Sequence, residues 1–563
     1  MKRTKVRCLD RRDFLRLTAL TGTAIAGSPI DLFIRNTSAG ILHQTLADDT
    51  PGINPRTYLF VQMPGAPPRW AWDLPLNPMG ETLVDNPGQA THFLQQGGRN
   101  IIPAVGSTTH YSPQFQRHIT MPYLWQFDIP GRNGGMRPMR ELLDNLLVLR
   151  GINTFDSSHR GSQQKMTLAA GAAASLHGMV ADYTSVSLPA VVVDDPLLPY
   201  LSARGSSVMT LGTGGGVNVL KTALGAFENQ STDAFETRID ELEPYIQAAV
   251  QSVESRIAPY SLNLVRDRRN AEDMIREGVS GLDQSWNDLV TKYQDLITRS
   301  FAMVIPGLND APVGAPGPRD GRYQFQAPND IIGNPDLRTA LTPDSGVAGL
   351  AQNFAVAEYC LTRGFTKSMA LTVGAVGSLG LEINGTFSPS HYFGHDHHYA
   401  GVYPTTFFSA FLFVALSSCL LELIDIMRAT PASNGLSLFD ESVIHVAGEF
   451  NRKTRVAMDG SDHAWEAQSV SLISGAIKGL HVVGSIYNKT PNPNEIIDYP
   501  GTWGYAAPVG KLGNSPVTTG HTLSSVAYLL RVPNPNPATI PVIQLDPDGS
   551  VVSMIGPPGM VHL

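Results

Sequence analysis

Short runs of consecutive apolar residues, bounded by Gly, Pro or Asn, alternate along this chain with stretches patterned for helix. Such runs read as strands buried on both faces, and their alternation with helices predicts an α/β domain with a mostly parallel central sheet. The runs that fit are Thr57 to Met63, Asn145 to Leu149, Ala190 to Val193, Ser368 to Val373 and Ser442 to Ala447. From about Thr232 to Phe301 the pattern changes to charged, Gly-poor and helical, with Pro244 and Pro259 placed to start or break individual helices. This predicts a helical insertion on the sheet, spanning about 226–305. Leu308 to Pro343 is rich in Pro, Gly, Asn and Asp and reads as a surface connection. From about 485 to 563 these residues return, as in Thr490 to Asn494 and Pro533 to Pro537, and predict an irregular C-terminal extension.

One apolar stretch needs separate treatment. Thr405 to Leu421 carries no charge, falls short of the roughly 20 residues that span a bilayer, contains Ser409, Ser417 and Ser418, and runs into Glu422 and Asp425. A helix buried against the sheet is expected, with no stable membrane span in the mature chain.

Composition narrows the class. A chain of 563 residues with 42% hydrophobic and 16% charged residues can bury a substantial core, as a large enzyme or binding protein does. A formal charge of -8 gives no footprint for nucleic acid. At the N-terminus, Asp10-Arg11-Arg12-Asp13-Phe14-Leu15-Arg16 precedes a mildly apolar stretch, Leu17 to Gly27, and resembles a twin-arginine export signal. Residues 1–47 are therefore expected to be signal and linker, with cleavage after Ala26 or Ala47, and 48–563 the folded domain. Cys8 precedes the apolar segment and is not placed for a lipid anchor. Cys360 and Cys419 remain; one bridge between them requires close Cα atoms, and two buried free thiols is the simpler reading.

The candidate chemistry lies in Asp/His knots. Four of the 15 histidines fall between His391 and His398, and Gly394-His395-Asp396-His397-His398 puts Asp396 and His398 on one side of an extended chain. A second knot, Gly460-Ser461-Asp462-His463, follows the strand at Ser442, with Glu449 between. Carboxylate oxygen with imidazole nitrogen suits zinc, manganese or iron, and less readily calcium or magnesium. Asp396 with His398 and Asp462 with His463 are expected to converge on a shared divalent cation. A third group, Asp156-Ser157-Ser158-His159, follows the strand at Asn145 and opens a helix. There Ser158 is either an ordinary cap or part of a site for phosphate or sulfate. Gly212 to Gly216 lacks a following Gly-Lys-Ser/Thr and reads as a turn.

In this order the motifs resemble an exported bacterial family known as domain of unknown function 1501, assigned to the alkaline phosphatase-like superfamily. The likeness runs from about Arg56 to Leu530 and includes Glu449-Phe450-Asn451-Arg452 and the late Val517 to Ser525, which looks like the family's closing helix. It implies an alkaline phosphatase-like α/β sandwich with metal ligands at the C-terminal ends of strands. It implies Ser158, His159 and Arg452 as catalytic or anion-binding residues, and Asp396, His398, Glu449, Asp462 and His463 as metal ligands, zinc or manganese before calcium or magnesium. The departures are His395 for Trp, Asn451 and Ala464 for Gly, and a first-strand turn, Met63 to Arg69, with no polar ligand before Asp73. The function implied is an exported metal-dependent hydrolase of phosphate or sulfate esters, periplasmic or secreted. Its partners would be the twin-arginine export machinery and a small anionic ester or surface polymer. The alternative is a catalytically degenerate binding or assembly protein that keeps the fold.

Overall fold

Seven consecutive buried residues form β1 (Thr57–Met63), the strand about which the central sheet is arranged. The computed structural model describes residues 53–69, 72–74, 76–77, 90–91, 95–96, 99–100, 107–112, 117–184, 186, 188–193, 198–211, 285–303, 348–373, 402–432, 435–454, 461–484, 486–487 and 505–555. The expected export signal, Gly212 to Gly216, Leu308 to Pro343, and the knot with Asp396 and His398 lie outside these residues.

The further strands are β2 (Leu146–Asn153), β3 (Ala190–Val193), β4 (Val208–Leu211), β5 (Ser368–Thr372), β6 (Ser442–Gly448), β7 (Asn451–Thr454), β8 (Ser461–Ala464), β9 (Gln468–Ile473), β10 (His481–Val483), β11 (Pro508–Val509) and β12 (Ser515–Thr518). The sheet has ten strands in the order β4-β3-β5-β1-β6-β9-β2-β12-β11, with β10 also on β2. From β4 to β6 every pairing is parallel. Antiparallel β9 then sits between β6 and β2, so β2 again runs parallel to β6. The protein is thus mixed α/β with a mostly parallel central sheet, and all five strands expected from the apolar runs lie in it.

The period of two sends alternate side chains to opposite faces. Leu59, Val61, Ile444 and Val446 join a core with α3 (Ala348–Thr362) and α4 (Val402–Ala429). Tyr58, Phe60, Val443 and Ala447 join another with α2 (Leu176–Asp182) and α5 (Thr519–Leu530). Each fully buried Leu, Val or Phe contributes about 1.5–3 kcal/mol, so these two layers fix which face each strand residue takes. Among the described residues α4 is the one helix long and apolar enough to cross a membrane, and 89% of its qualifying stretch is buried. Its Glu422, itself buried, meets Arg132 at 2.6 Å and Lys292 at 3.1 Å, which is how a carboxylate is accommodated at the end of an apolar helix.

Two regions set apart by composition join the core of the sheet. Residues 285–301, the described end of the expected insertion, are helical and bury Trp286, Tyr293, Leu296 and Ile297 in the α3–α4 core. The region beyond 485, expected to be irregular apart from a closing helix at Val517 to Ser525, contains α5, whose Leu523, Val526 and Leu530 pack on the sheet. Pro and Asn set the turns around that helix but do not prevent its apolar face from being buried.

The α2–α5 face also holds a polar exception. His445 on β6 and His177 on α2 are fully buried beside Tyr58, whose hydroxyl lies 2.9 Å from Nδ1 of His445 and whose ring centroid is 4.7 Å from that of His177. Burial pushes the Tyr58 hydroxyl well above its ordinary range, so it stays protonated and donates. Burial likewise lowers both histidines to about 3, so both are neutral.

Candidate functional site

β1, β5, β6 and β2 all end at one edge of the sheet, the edge at which open α/β sheets place their ligands. β1 leaves it through Pro64-Gly65-Ala66, where Gly65 and Ala66 both take left-handed φ values, 80° and 54°. The turn lies against the end of β6: a Cβ added at Gly448 would come within 3.2 Å of Ala66 Cα, so this close approach depends on glycine. Gly65 N–H donates to Oε1 of Glu449 at 2.8 Å.

Beyond Glu449 the chain forms the hairpin β7–β8, with Arg452 opposite His463 and Lys453 opposite Asp462. Arg452 is fully buried and donates from Nε and Nη2 to the carbonyl of Gly65, at 3.2 and 2.6 Å, and from Nε to that of Ala66 at 3.1 Å. Asn451 Oδ1 accepts from Arg69 N at 3.2 Å and from Arg452 N at 3.0 Å. The first-strand turn and the hairpin are therefore one hydrogen-bonded unit.

The loop after β2 completes the site. Thr154 N–H donates to Trp465 O at 3.0 Å, tying that loop to the exit from β8. Ser158 caps α1 (His159–Lys165) by accepting from Gly161 N at 3.2 Å, and its hydroxyl donates to Asp156 Oδ1 at 2.7 Å. Partial burial alone would raise the Asp156 carboxyl; hydrogen bonds from Ser158 and the Lys165 ammonium bring it below its usual value. His159 Nδ1 meets Oε1 of the buried Glu449 at 2.7 Å. His463 Nδ1 bonds to the carbonyl of Ser157. The two imidazole centroids are 4.5 Å apart, edge on, and Phe450 packs 4.1 Å from His463 and 4.8 Å from His159.

These contacts fix tautomers. A backbone carbonyl only accepts, as does an ionised carboxylate, so Nδ1 of each imidazole is the donor, and in the neutral ring the lone pair is then on Nε2.

The sequence-expected residues fall out as follows. Ser158, His159, Glu449, Arg452 and His463 come together at one edge, contributed by three separate segments. Ser158 is exposed and takes the capping alternative. Arg452 braces the turn with two of its nitrogens in place of presenting them to an anion. The Asp462 backbone is in β8, and its side chain lies outside the description, as do Asp396 and His398. Asp73, the first carboxylate after β1, is fully buried in a pair with Arg69 and accepts from Ser471 Oγ at 2.7 Å. It is part of the core on the α4 side, so the first-strand turn contributes backbone groups to the site. Among the described residues no group of three or more His, Cys, Asp or Glu is arranged to hold a metal ion. Sequence reasoning missed Gly65, Phe450 and Asn451 as site-forming residues, although the Pro-Gly after a buried strand was a legible turn signal.

No family model matches this chain, and no curated protein and no solved structure is significantly similar to it.

Proposed function

We propose that this chain is an exported metal-dependent hydrolase of phosphate or sulfate esters, with an alkaline phosphatase-like arrangement of its sheet edge. The observation that carries the reading is the pair His159 and His463, each held through Nδ1 by an oxygen acceptor so that Nε2 bears the lone pair. That is the way proteins orient metal-ligating imidazoles, and the donor set fits a cation on this ground. His159 and His463 would hold it together with Asp462, Asp396 and His398, a mixture of imidazole and carboxylate suited to zinc or manganese before calcium or magnesium. Bound there, the cation supplies positive charge to an ester on which negative charge develops.

The chain's own groups do the positioning. Glu449 fixes the ring of His159 and Ser157 O that of His463, while Phe450 packs against both rings. Because the Ser158 hydroxyl is tied to Asp156, attack falls to water. The expected substrate is a small anionic ester or a surface polymer carrying one, met in the periplasm or outside the cell after export by the twin-arginine machinery.

A second reading, a degenerate binding or assembly protein, is favoured by the commitment of Ser158 to Asp156 and of Arg452 to the turn. Elemental analysis with nitrophenyl phosphate and nitrophenyl sulfate turnover separates them, on the wild type, His463→Ala and Asp396→Ala. Stoichiometric zinc or manganese with turnover, both lost in the variants, supports the hydrolase. Bound metal without turnover supports the second reading. A protein that holds no metal and is not stabilised by any added divalent cation overturns the metal centre.

A further inference from the structure

Phe155 combines two features that rarely coincide. Its φ of 52° lies in the left-handed region, which a bulky side chain seldom enters, and at 62% it is the most exposed large apolar residue among the described ones. An exposed Phe by itself needs no explanation. An exposed Phe on a backbone that favours Gly or Asn does, because the ring neither fills a core nor suits its own turn. Of the other non-glycine residues with positive φ among those described, Asn133 and Asn514 are of the tolerated type and Arg531 ends α5, while Ala66 belongs to the first-strand turn of the site. We infer that Phe155 is a stacking platform for the aromatic ring of an aryl ester bound at the pair His159 and His463.

Two bonds between separate segments place the residue. Thr154 N–H donates to Trp465 O at 3.0 Å, and Ser157 O accepts from Nδ1 of His463. Phe155 and Asp156 are the two residues between these bonds, so Phe155 is held alongside the segment from His463 to Trp465. At 3.8 Å per step, its Cα lies within roughly 8 Å of that of Ser157. His159, whose side chain is 34% exposed, opens to solvent at the same edge of the sheet.

The strained backbone is fixed on both sides. Phe155 N–H donates to Asn153 Oδ1 at 2.8 Å. Thr154, 1% exposed, donates from Oγ1 to Asp156 O at 3.0 Å, and its carbonyl accepts from Lys165 Nζ at 3.0 Å. Asp156 O also accepts from Ser162 Oγ at 2.6 Å. The loop is therefore already ordered where it carries the ring, which lowers the cost of binding a partner there.

The groups beside the ring select its partner. Phe offers a π-face and no polar handle. The Asp156 carboxylate turns back to Ser158 and Lys165, and the Thr154 hydroxyl stays within the loop. A sugar ring would find no partners for its hydroxyls in these neighbours, whereas an aromatic ring needs none.

The inference rests on the hydrolase reading, and calorimetric titration of the full chain with added zinc tells the two apart. The probes are phenylphosphonate and methylphosphonate, which share the anionic group and differ in the ring. Wild type should bind phenylphosphonate roughly three- to tenfold more tightly. Phe155→Ala should bring the two affinities together, and Phe155→Tyr should keep them apart. Phe155→Gly, which suits the left-handed backbone, should raise the thermal midpoint while losing the preference. Equal affinities in wild type, or a preference that survives in Phe155→Ala, would overturn the platform and leave the hydrolase reading intact. So would a Phe155→Gly midpoint below that of wild type, since the ring would then be serving the fold. Binding of neither phosphonate would remove the hydrolase reading and the platform together.

Discussion

His159 and Glu449 share a 2.7 Å hydrogen bond across 290 positions of sequence, joining the loop after β2 to the end of β6. Glu449 also takes the Gly65 N–H on the same oxygen, so one carboxylate registers three separate segments. Replacing such an orienting carboxylate typically costs 10- to 100-fold in metal affinity or activity. Glu449→Gln should therefore lower metal affinity and any ester turnover by about one to two orders of magnitude, with the far-ultraviolet circular dichroism unchanged. Wild-type metal affinity and turnover in the variant would remove Glu449 from the positioning role.

Arg452 offers a stability test that activity does not enter. Its buried guanidinium satisfies the carbonyls of Gly65 and Ala66, and hydrogen bonds to charged groups contribute about 1.5–3 kcal/mol each. Arg452→Met should destabilise the protein by on the order of 3 kcal/mol in urea unfolding, and Arg452→Lys should recover part of that. A loss below about 0.5 kcal/mol, the range of ordinary surface substitutions, would mean the turn does not need its brace.

His177 and His445 give the pH dependence. Burial lowers both to about 3, the charges of His177 and Arg69 adding to the effect on His445. In the unfolded chain a histidine titrates near 6.5. Their contribution to stability is thus intact above about 6.5 and is lost as pH falls from there toward about 3. Below 6.5 each should cost about 1.4 kcal/mol per pH unit. Urea midpoints between pH 7.5 and 4.5 should fall more steeply for wild type than for His177→Gln. Parallel profiles would show that His177 is not buried as a neutral group.

The thiols should be silent. Cys360 and Cys419 are free and fully buried, and burial pushes Cys360 up to about 12 and Cys419 well above its ordinary value. Native protein should resist alkylation at neutral pH, and a reducing agent should leave its thermal midpoint unchanged. Rapid labelling of either residue, or a midpoint sensitive to reductant, would contradict this.

Export is checked by fractionation. Arg11 and Arg12 both changed to Lys should leave the protein in the cytoplasm, whereas continued export would show that the N-terminus works by another route.

The five apolar runs announced the sheet because a strand covered by helices on both faces is apolar along most of its length, and Thr57–Met63 and Ala190–Val193 match to the residue. Antiparallel β9 stayed hidden for the opposite reason. Its Ser469 and Ser471 alternate with apolar residues and look like a solvated face, but Ser471 is buried against Asp73 and Trp72. The site was legible only as residue types. Ser158, His159, Glu449, Arg452 and His463 could be named from their motifs, but the division of labour among them depends on contacts between residues hundreds of positions apart. No spacing along the chain indicates that Arg452 spends its charge on two backbone carbonyls.

The long helix α4 depends on the layer that encloses it. By length and composition it is indistinguishable from a bilayer span, and what separates it from one is that 89% of the qualifying stretch is already enclosed by the rest of the protein. The helix that anchors one layer of the core thus owes its place inside the protein to its neighbours: opening the layer around α4 would lay bare a stretch apolar enough for a bilayer to compete for it.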